Sequence, residues 1–307
     1  MLINQENLAS FFTGVKTIFN KGFEGAPSVY KTIATVAPSS TREETYGWLG
    51  QFPKMREWIG DRVIKNLAAH SYKIVNRDFE QTIGVKRNDL QDDAYGLLSP
   101  LFAEMGRTAG EFPDELVLGL LAAGFTTVCY DGQYFFDTDH PVGQNGSDYP
   151  ETTVSNFQGG SGDPWFLLDC SRALKPMIFQ ERMPLGKLVT KDKDSDENVF
   201  FRKEYLYGTD GRCNAGFGLW QLTNASKEDL TADNYEAARQ AMMGLKGDSG
   251  RPLGIKPDTL VCGPALEGAA MRLLNNGTRI ITVDTVPIAM QNEWAGTAKP
   301  IVTPWVG

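Results

Sequence analysis

The residues best suited to chemistry surround one of the two histidines in this chain. His140 ends the string Phe136-Asp137-Thr138-Asp139-His140, which places two carboxylates beside an imidazole. Such groups serve as metal ligands or as acid–base catalysts, and with a serine elsewhere they would support hydrolysis. A metal ion needs three or more converging ligands, however, and the sequence indicates no further partner. Aspartates that precede His-Pro in a turn more often cap backbone N–H groups.

The cysteines do not have the spacing of a metal or disulfide framework. None of the four belongs to a C-x-x-C pair, and long stretches of chain separate them. We therefore expect reduced, semi-buried thiols of the kind found in cytoplasmic proteins, and neither disulfides nor a zinc site. These cysteines are Cys129, Cys170, Cys213 and Cys262.

A run of aspartates resembles the first half of a calcium-binding loop. The carboxylates of Asp192, Asp194 and Asp196 alternate along the chain as they do in such loops. The sixth position is Glu197, where a glycine is needed, and the twelfth is Lys203, where a glutamate is needed. The pattern therefore predicts a solvated turn.

Motifs for phosphate binding and for nucleophilic catalysis are missing from the sequence. Gly186-Lys187 lacks the upstream glycine and the downstream Ser or Thr of a P-loop. The glycine-rich stretch 159–162 has no predicted helix directly after it that would present amide groups to a phosphate. No G-x-S-x-G elbow occurs. We therefore expect no cofactor, no metal and no enzymatic activity.

Composition is that of a globular protein with an acidic balance. The 307 residues are 41% hydrophobic and 22% charged, and the net charge is −8. No apolar run approaches a membrane-spanning length, and the first residues lack a basic segment followed by an apolar block. A protein that grips nucleic acid through its phosphates would need a basic field, which this chain lacks overall. The acidic charge is still compatible with a protein that lies near nucleic acid without binding it tightly.

The sequence predicts a long helix at 95–125, around which the other elements are organised. Ser99-Pro100 is a suitable helix start, and Gly124 a suitable end. The apolar phase continues through Pro113, which predicts one bent helix of roughly 40 Å. Two short helices that meet at Pro113 are the alternative. The residues that set the apolar phase are Leu98, Phe102, Met105, Ala109, Phe112, Leu116 and Leu120.

The N-terminal region reads as a helix followed by an arm. Apolar residues over 5–20, among them Phe11 and Phe12, have helical spacing, and Gly22 is the expected end. A helix this close to a terminus has little of its own chain to pack against, so we expect it to dock on a neighbouring surface of the same or another subunit. Residues 23–45 have no clear periodicity and predict an extended arm.

Large aromatic side chains then occur in an irregular, glycine-punctuated segment at 45–61. Such side chains either fill their own core or anchor a partner, and the two readings have equal weight here. Beyond it, 71–76 and 79–85 read as two strands joined by a turn at 76–78. The residues that we expect at a subunit interface are Phe11, Phe12, Trp48, Phe52, Arg56 and Trp58.

The rest of the chain alternates strands, turns and two helices. A polar loop is predicted at 144–163, two strands at 164–182, and a charged hairpin tip at 191–198 that returns as a strand. Helices are predicted at 233–246, with an Asp233…Glu236 capping pair, and at 264–276. Buried strands at 260–263 and 279–283 would complete a compact α/β layer with them.

Several long strings resemble the major head subunit of Mu-like phages and prophages, the gpT family. They include YGWLGQFPKMREWIGDR (46–62), PDELV (113–117) and GFTTVCYDGQYFFDTDHP (124–141). The resemblance covers nearly the whole chain. It implies an α+β, Hong Kong 97-like tailed-phage capsid fold with an N-terminal arm, an extended loop, a peripheral domain with a long spine helix, and an axial domain.

The resemblance also implies a domain division. The implied segments are the arm at 1–45, the extended loop and peripheral-domain strands at 46–92, the spine helix at 93–125, a β-rich region shared by the peripheral and axial domains at 126–231, and the axial α/β layer with C-terminal strands at 232–307.

The function implied is that of a major capsid protein. Pentamers and hexamers would form an icosahedral shell around phage DNA, as part of the virion, after assembly in the bacterial cytoplasm. Implied partners are further copies, a separate scaffolding protein, a portal, decoration proteins and non-specifically held double-stranded DNA, with no membrane. A cellular nanocompartment shell is one alternative reading. A hydrolase that uses Asp137, Asp139 and His140 is another.

Overall fold

A computed structural model of the chain describes residues 5–47, 49, 72–92, 95–143, 149–248, 250–283 and 286–307. The helices are α1 (Gln5–Glu24), α2 (Tyr30–Ile33), α3 (Arg87–Gln91), α4 (Tyr95–Ala122), α5 (Glu197–Arg202), α6 (Ala232–Met243) and α7 (Glu267–Leu274). The strands are β1 (Ala34–Pro38), β2 (Glu43–Thr45), β3 (Lys73–Val75), β4 (Arg77–Lys86), β5 (His140–Val142), β6 (Thr152–Val154), β7 (Phe157–Gly160), β8 (Trp165–Leu168), β9 (Met177–Lys191), β10 (Glu204–Phe217), β11 (Thr223–Lys227), β12 (Thr259–Cys262), β13 (Thr278–Val283), β14 (Val286–Gln291) and β15 (Lys299–Val302).

The long helix predicted at 95–125 is one continuous element. α4 has 28 residues, with Pro100 in its first turns and Pro113 in its interior. The alternative of two short helices that meet at Pro113 is therefore wrong. The apolar phase persists through the proline because Ala109 on one side and Val117 on the other both face the core. The helix ends at Ala122, and one 3-10 turn follows at Ala123–Phe125.

α1 packs directly on α4 of the same chain, at a contact made possible by glycine. A Cβ atom on Gly106 would lie 2.1 Å from the carbonyl oxygen of Phe19, and one on Gly22 would lie 2.1 Å from that of Ala103. The expected helix end at Gly22 was wrong, since α1 continues to Glu24. Gly22 instead lets the two helix backbones approach each other.

The segment predicted as an extended arm contributes to a sheet. β1 pairs in parallel with β9, from Ala34 opposite Met177 onward, and the sheet order is β1-β9-β10-β4. Ile33 and Ala34 are buried at its start. The lack of periodicity over 23–45 has a simple cause: α2, β1 and β2 are each too short to show a period.

The strands on either side of Asn76 do not pair with each other. β3 pairs with β2, whereas β4 pairs with β10, so the predicted hairpin with a turn at 76–78 is wrong. Asn76 is buried, and its side-chain amide donates to Ser39 Oγ at 2.8 Å and to the Thr41 carbonyl at 2.9 Å. These bonds hold the single residue at which the chain passes from one sheet to the other.

A second sheet has the order β15-β12-β8-β11-β7. In sequence, α6 follows β11 and α7 follows β12. All residues of β8 and β12 are buried, as continuous apolar strands in a sheet centre should be. α6 begins at Ala232, one residue before the predicted start at 233. Its N-cap is Thr231, whose Oγ1 accepts a hydrogen bond from the Asn234 N–H. The pair Asp233…Glu236 lies inside the helix.

Three predictions about the second half of the chain need correction. The predicted loop at 144–163 contains β6 and β7. The strand expected after the charged tip starts with the short helix α5. Residues 279–283 do form a strand, but β13 pairs with β14 in a separate two-stranded ribbon and is not part of the α/β layer. Ile280 on this ribbon is 74% exposed, so the expected burial was wrong.

The buried apolar side chains form two clusters. One joins α1 and α4 to the outer halves of β4 and β10, with Phe19, Phe102 and Tyr207 at its centre. The other lies beneath both sheets and includes Trp165 and Trp220. Within the described ranges, no helix combines the length and the hydropathy needed to cross a bilayer.

Candidate functional site

An exposed pair of phenylalanines marks the tip of the long β9–β10 hairpin. Phe200 and Phe201 in α5 are 74% and 75% exposed, and their rings meet edge to face at 5.0 Å. Adjacent aromatic side chains with three-quarters of their surface exposed are costly for an isolated subunit, and such anchors typically become buried against a partner.

The hairpin tip that carries this pair is held by its own hydrogen bonds. The Asn198 side-chain amide donates to the carbonyls of Lys191 and Glu204, which ties α5 to both strands. Asp196 Oδ2 accepts from the Lys193 N–H at 2.9 Å, as expected for a carboxylate in a solvated turn. The phenylalanines therefore project from an ordered platform.

The β13–β14 ribbon is a second surface with unburied apolar groups. Ile280, Ile288 and Met290 are exposed by 74%, 45% and 39%. Ile280 and Met290 lie on opposite faces, because Ile280 is paired with Ala289, next to Met290 in the chain. A lone two-stranded ribbon is marginally stable in water, so apolar groups on both faces favour burial against a neighbour.

The two interface candidates on α1 make contacts within the chain. The Phe11 ring lies 5.9 Å from the Tyr207 ring and 6.5 Å from that of Phe102, while Phe12 stacks on Tyr207 at 6.3 Å. Both phenylalanines retain partial exposure. The other candidates, Trp48, Phe52, Arg56 and Trp58, lie outside the described residues, as does His70.

The chemically suggestive His140 is completely buried in a polar cluster. Its Nδ1 lies 2.8 Å from Asp131 Oδ2, and the Cys129 thiol donates to Asp131 Oδ1 at 3.0 Å. Burial opposes ionisation of Asp131, yet hydrogen bonds from His140 and Cys129 outweigh it and lower the pKa of this carboxyl. Burial, aided by the Asp131 charge, raises the pKa of the Cys129 thiol well above its usual value.

A second set of bonds fixes the orientation of the His140 ring. Its Nε2 lies 3.2 Å from Asn156 Oδ1, and the ring stacks on Trp220 at 4.0 Å with an angle of 10°. Asn156 Oδ1 also accepts from the Asp137 N–H, and its amide nitrogen donates to the Phe135 carbonyl at 2.8 Å. The backbone thereby fixes which end of the amide faces His140.

The aspartates nearest to His140 in sequence have other roles. Asp137 accepts from the N–H groups of Tyr134 and Thr138, and the Asp139 carbonyl accepts from the Gln133 amide. The cap interpretation is thus right for Asp137. The ligand-type groups that do converge on His140 are Cys129 and Asp131, which sequence reasoning missed. Their signal was the C-x-D pair at 129–131, within the string 124–141 that also contains His140.

Comparison with known proteins decides between the remaining interpretations. A family profile described as "Mu-like prophage major head subunit gpT" matches residues 8–306. The major capsid protein of Escherichia phage Mu is 46% identical over 279 residues, which cover 90% of this chain and 91% of that protein. The FluMu prophage major head subunit of Haemophilus influenzae is 45% identical over 282 residues, with the same coverage. The chain belongs to the Mu-like prophage major head subunit gpT family.

Solved structures agree with this assignment. A chain of the bacteriophage JBD30 procapsid is 45% identical, with a TM-score of 0.83 and coverage of 99% of this chain and 100% of that one. A chain of the JBD30 capsid is 34% identical, with a TM-score of 0.76 and full coverage of both. The fold of this gpT-family chain is therefore the α+β, Hong Kong 97-like capsid fold. Such proteins are structural subunits and not enzymes, which overturns the hydrolase interpretation with Asp137, Asp139 and His140.

Proposed function

We propose that this head subunit assembles with its own copies into the pentamers and hexamers of an icosahedral shell that encloses double-stranded phage DNA. The observation that carries the proposal is the match over residues 8–306 to a major head subunit family, together with 45% identity to a procapsid chain. In closed symmetry many weak contacts form together, so no single one has to be strong.

The two sheets suggest how the chain divides into domains. We assign α1, α4 and the β1-β9-β10-β4 sheet to the peripheral domain, with α4 as the spine helix. We assign the β15-β12-β8-β11-β7 sheet, α6 and α7 to the axial domain. The region 126–231 is then shared, since β9 and β10 belong to the first sheet and β7, β8 and β11 to the second. The arm at 1–45 thus contributes α1 and β1 to the peripheral domain, and the extended loop within 46–92 completes the scheme.

Contacts between copies would use the exposed apolar groups. Phe200 and Phe201 project from the end of one hairpin, and the β13–β14 ribbon exposes Ile280. Aromatic anchors of this kind dominate the energy of many protein interfaces. We retain as interface candidates the partly exposed Phe11 and Phe12, and, in the undescribed part, Trp48, Phe52, Arg56 and Trp58.

Further partners are proposed from the requirements of a phage head. The shell of JBD30 is described as decorated with minor capsid protein trimers. A corresponding decoration protein, a scaffolding protein and a portal would bind this subunit, and assembly would take place in the host cytoplasm. The net charge of −8 would let DNA move along the inner wall without strong adhesion.

Particle formation tests the proposal directly. The chain is purified alone and after co-expression with a scaffolding protein of a Mu-like phage, and is examined by size-exclusion chromatography and negative-stain electron microscopy over a range of concentrations. Rings or closed shells in either preparation are the expected result. A monodisperse monomer in both, at the highest concentration reached, would overturn it.

A further inference from the structure

We propose that Cys129, Asp131 and His140 form a binding site for one divalent cation of the zinc class. The Cys129 Sγ, an Asp131 carboxylate oxygen and a His140 ring nitrogen all lie within 4.8 Å of one another. Cys129 and Asp131 belong to the loop between α4 and β5, and His140 is the first residue of β5. Thiolate, carboxylate and imidazole are three ligand types that zinc accepts together, with water at a fourth position. The Cys129 thiol, which donates to Asp131 in the metal-free chain, would release its proton to solvent when the ion binds.

The hydrogen-bond network gives His140 the tautomer that a metal ligand needs. Asn156 Oδ1 accepts the Asp137 N–H at 2.9 Å, and Asn156 Nδ2 faces the Phe135 carbonyl. Since a carbonyl-type oxygen therefore faces His140 Nε2 at 3.2 Å, Nε2 carries a hydrogen. In the neutral ring this leaves the Nδ1 lone pair directed at Asp131. A hydrogen bond from the second nitrogen is the usual support of a metal-bound histidine.

The short contact between His140 and Asp131 marks the place where an ion would bind. Nδ1 and Asp131 Oδ2 are 2.8 Å apart. With a proton on Nδ1 the contact is the hydrogen bond described above, and without that proton a ring lone pair would face a carboxylate oxygen. Either a proton or a metal ion must lie between two such acceptors. Cys129, whose Sγ is 3.0 Å from the other carboxylate oxygen, supplies the ligand that distinguishes the two cases. A proton shared by His140 and Asp131 would not bind the Cys129 sulfur, whereas a zinc-class ion binds thiolate sulfur strongly.

The loop that carries the ligands is shaped in advance. The Cys129 N–H donates to the Gln133 carbonyl at 2.8 Å, and Gly132 has a φ of 93°, which allows the tight turn between them. The His140 ring rests on Trp220, so it cannot rotate freely. Little conformational freedom remains to be lost when an ion binds, which favours affinity.

The choice of cation follows from the donor atoms. Magnesium and calcium prefer sets of oxygen ligands, and this site offers one carboxylate. Sulfur and imidazole nitrogen instead favour zinc and its spectroscopic substitute cobalt. The bound ion would hold His140, whose ring stacks on Trp220 and faces Asn156, to the loop that follows α4. Asn156 directly precedes β7 and Trp220 lies shortly before β11, and both strands belong to the second sheet.

Cobalt spectroscopy on the folded chain tests the site. Full-length chain is treated with chelator, dialysed and titrated with Co²⁺, and then with Zn²⁺ under calorimetry. We expect one equivalent of either ion, a near-ultraviolet thiolate-to-cobalt band and a higher melting temperature with Zn²⁺. Cys129→Ala should abolish the band and the tight equivalent while circular dichroism remains unchanged.

A matched control removes a thiol elsewhere. Cys262 is also buried, and Cys262→Ala should leave both the cobalt band and the stoichiometry intact. Asp131→Asn serves as the second site variant if Cys129→Ala misfolds, and it should likewise lose the equivalent. Wild-type chain that binds no stoichiometric ion, or a cobalt band that persists in the folded site variants, would overturn the proposal and leave the cluster as a proton-bridged hydrogen-bond network.

Discussion

The Oδ1 atom of Asp114 lies 2.7 Å from the backbone nitrogen of Tyr30, so a carboxylate in the middle of α4 caps the start of α2. The same side chain accepts from the Val29 N–H and from the Ser28 hydroxyl. Asp114 is buried, and the amide groups that it binds are the first donors of α2, which have no partner within that helix. One side chain thus joins the N-terminal segment to α4.

Removal of this carboxylate should destabilise the subunit strongly. Asp114→Ala leaves the Val29 and Tyr30 donors without their acceptor in a buried place, and we expect a loss of about 2–4 kcal/mol in the free energy of unfolding. Asp114→Asn keeps one acceptor oxygen and should lose less. Urea unfolding followed by circular dichroism measures both. Equal stability of the alanine variant and the wild type would contradict the role assigned to Asp114.

Two glycines on α4 should respond to alanine in opposite directions. At Gly106 a methyl group would collide with the Phe19 carbonyl, so α1 has to shift away, at a cost of about 1–3 kcal/mol. At Gly119 nothing lies within 4 Å of the added carbon, and alanine should stabilise the helix by up to about 1 kcal/mol. Melting temperatures of the two single variants provide the comparison. A Gly106→Ala chain as stable as Gly119→Ala would show that the helices do not approach this closely.

Replacement of the hairpin-tip phenylalanines should separate assembly from folding. The double variant Phe200→Ser, Phe201→Ser removes apolar side chains that are about three-quarters exposed, so its folding free energy should change by about 0.5 kcal/mol or less. We expect it to form few particles by electron microscopy. The matched double leucine variant keeps an apolar surface and should still assemble. Normal particles from the serine variant would exclude this tip from the contacts between copies.

The tryptophans of the undescribed segment allow a separate test of the extended-loop assignment. If this loop bears on a neighbouring subunit, Trp48→Ala and Trp58→Ala should each impair particle formation while the monomer keeps its melting temperature. Truncation of an aromatic anchor in an interface typically costs 2 kcal/mol or more of binding free energy. A fall in melting temperature without any effect on assembly would place these side chains in the core of their own subunit.

High pH should destabilise the region where α2, β2 and β9 meet. Burial raises the pKa of Tyr30, Tyr46 and Tyr72 to about 12, from an ordinary value of 10.0. Nearby Glu181 and Asp114 add to this at Tyr30, and Glu44 does so at Tyr46. Because the folded state holds these protons more tightly than the unfolded state, their contribution to stability is complete below pH 10 and is lost as the pH rises towards 12.

Thermal melting from pH 9 to pH 12 checks this expectation. The melting temperature should decrease steeply above pH 10, and tyrosinate absorbance should rise in step with unfolding. Tyr30→Phe removes one of the groups that titrate and should make the decrease shallower. A flat profile up to pH 12 would contradict the raised pKa values.

Predictions from the sequence were correct where a periodic pattern repeats, and wrong where the outcome depends on which other strand or surface an element packs against. The period of α4 persists over about eight turns, so it outweighs the proline in the helix interior, Pro113. In contrast, the apolar run at Arg279–Val283 predicts a strand correctly but gives no information about what covers it, and Ile280 is left exposed. Asn76 illustrates the same limit, because two adjacent strands look like a hairpin until their actual partners are known.

The candidate sites show a similar division. Aromatic and β-branched residues at Val199–Phe201 favour a strand, but the cap at Asp196 and the left-handed Lys203, with a φ of 53°, enclose a helical turn instead. For His140, proximity in sequence pointed to Asp137 and Asp139. The fold of the loop brings Cys129 and Asp131 to the ring, and that closure depends on contacts with Asn156 and Trp220 from later parts of the chain.

The parallel pairing of β1 with β9 has a consequence for biosynthesis. At roughly 5–20 residues per second, the ribosome needs on the order of 10–30 s to proceed from Ala34 to its partner Met177. During this time the first strand emerges with no edge to bind. A polypeptide that ends before Met177 lacks the strand that pairs with β1 and cannot form the β1-β9-β10-β4 sheet, so we expect it to fail to enter the growing particle.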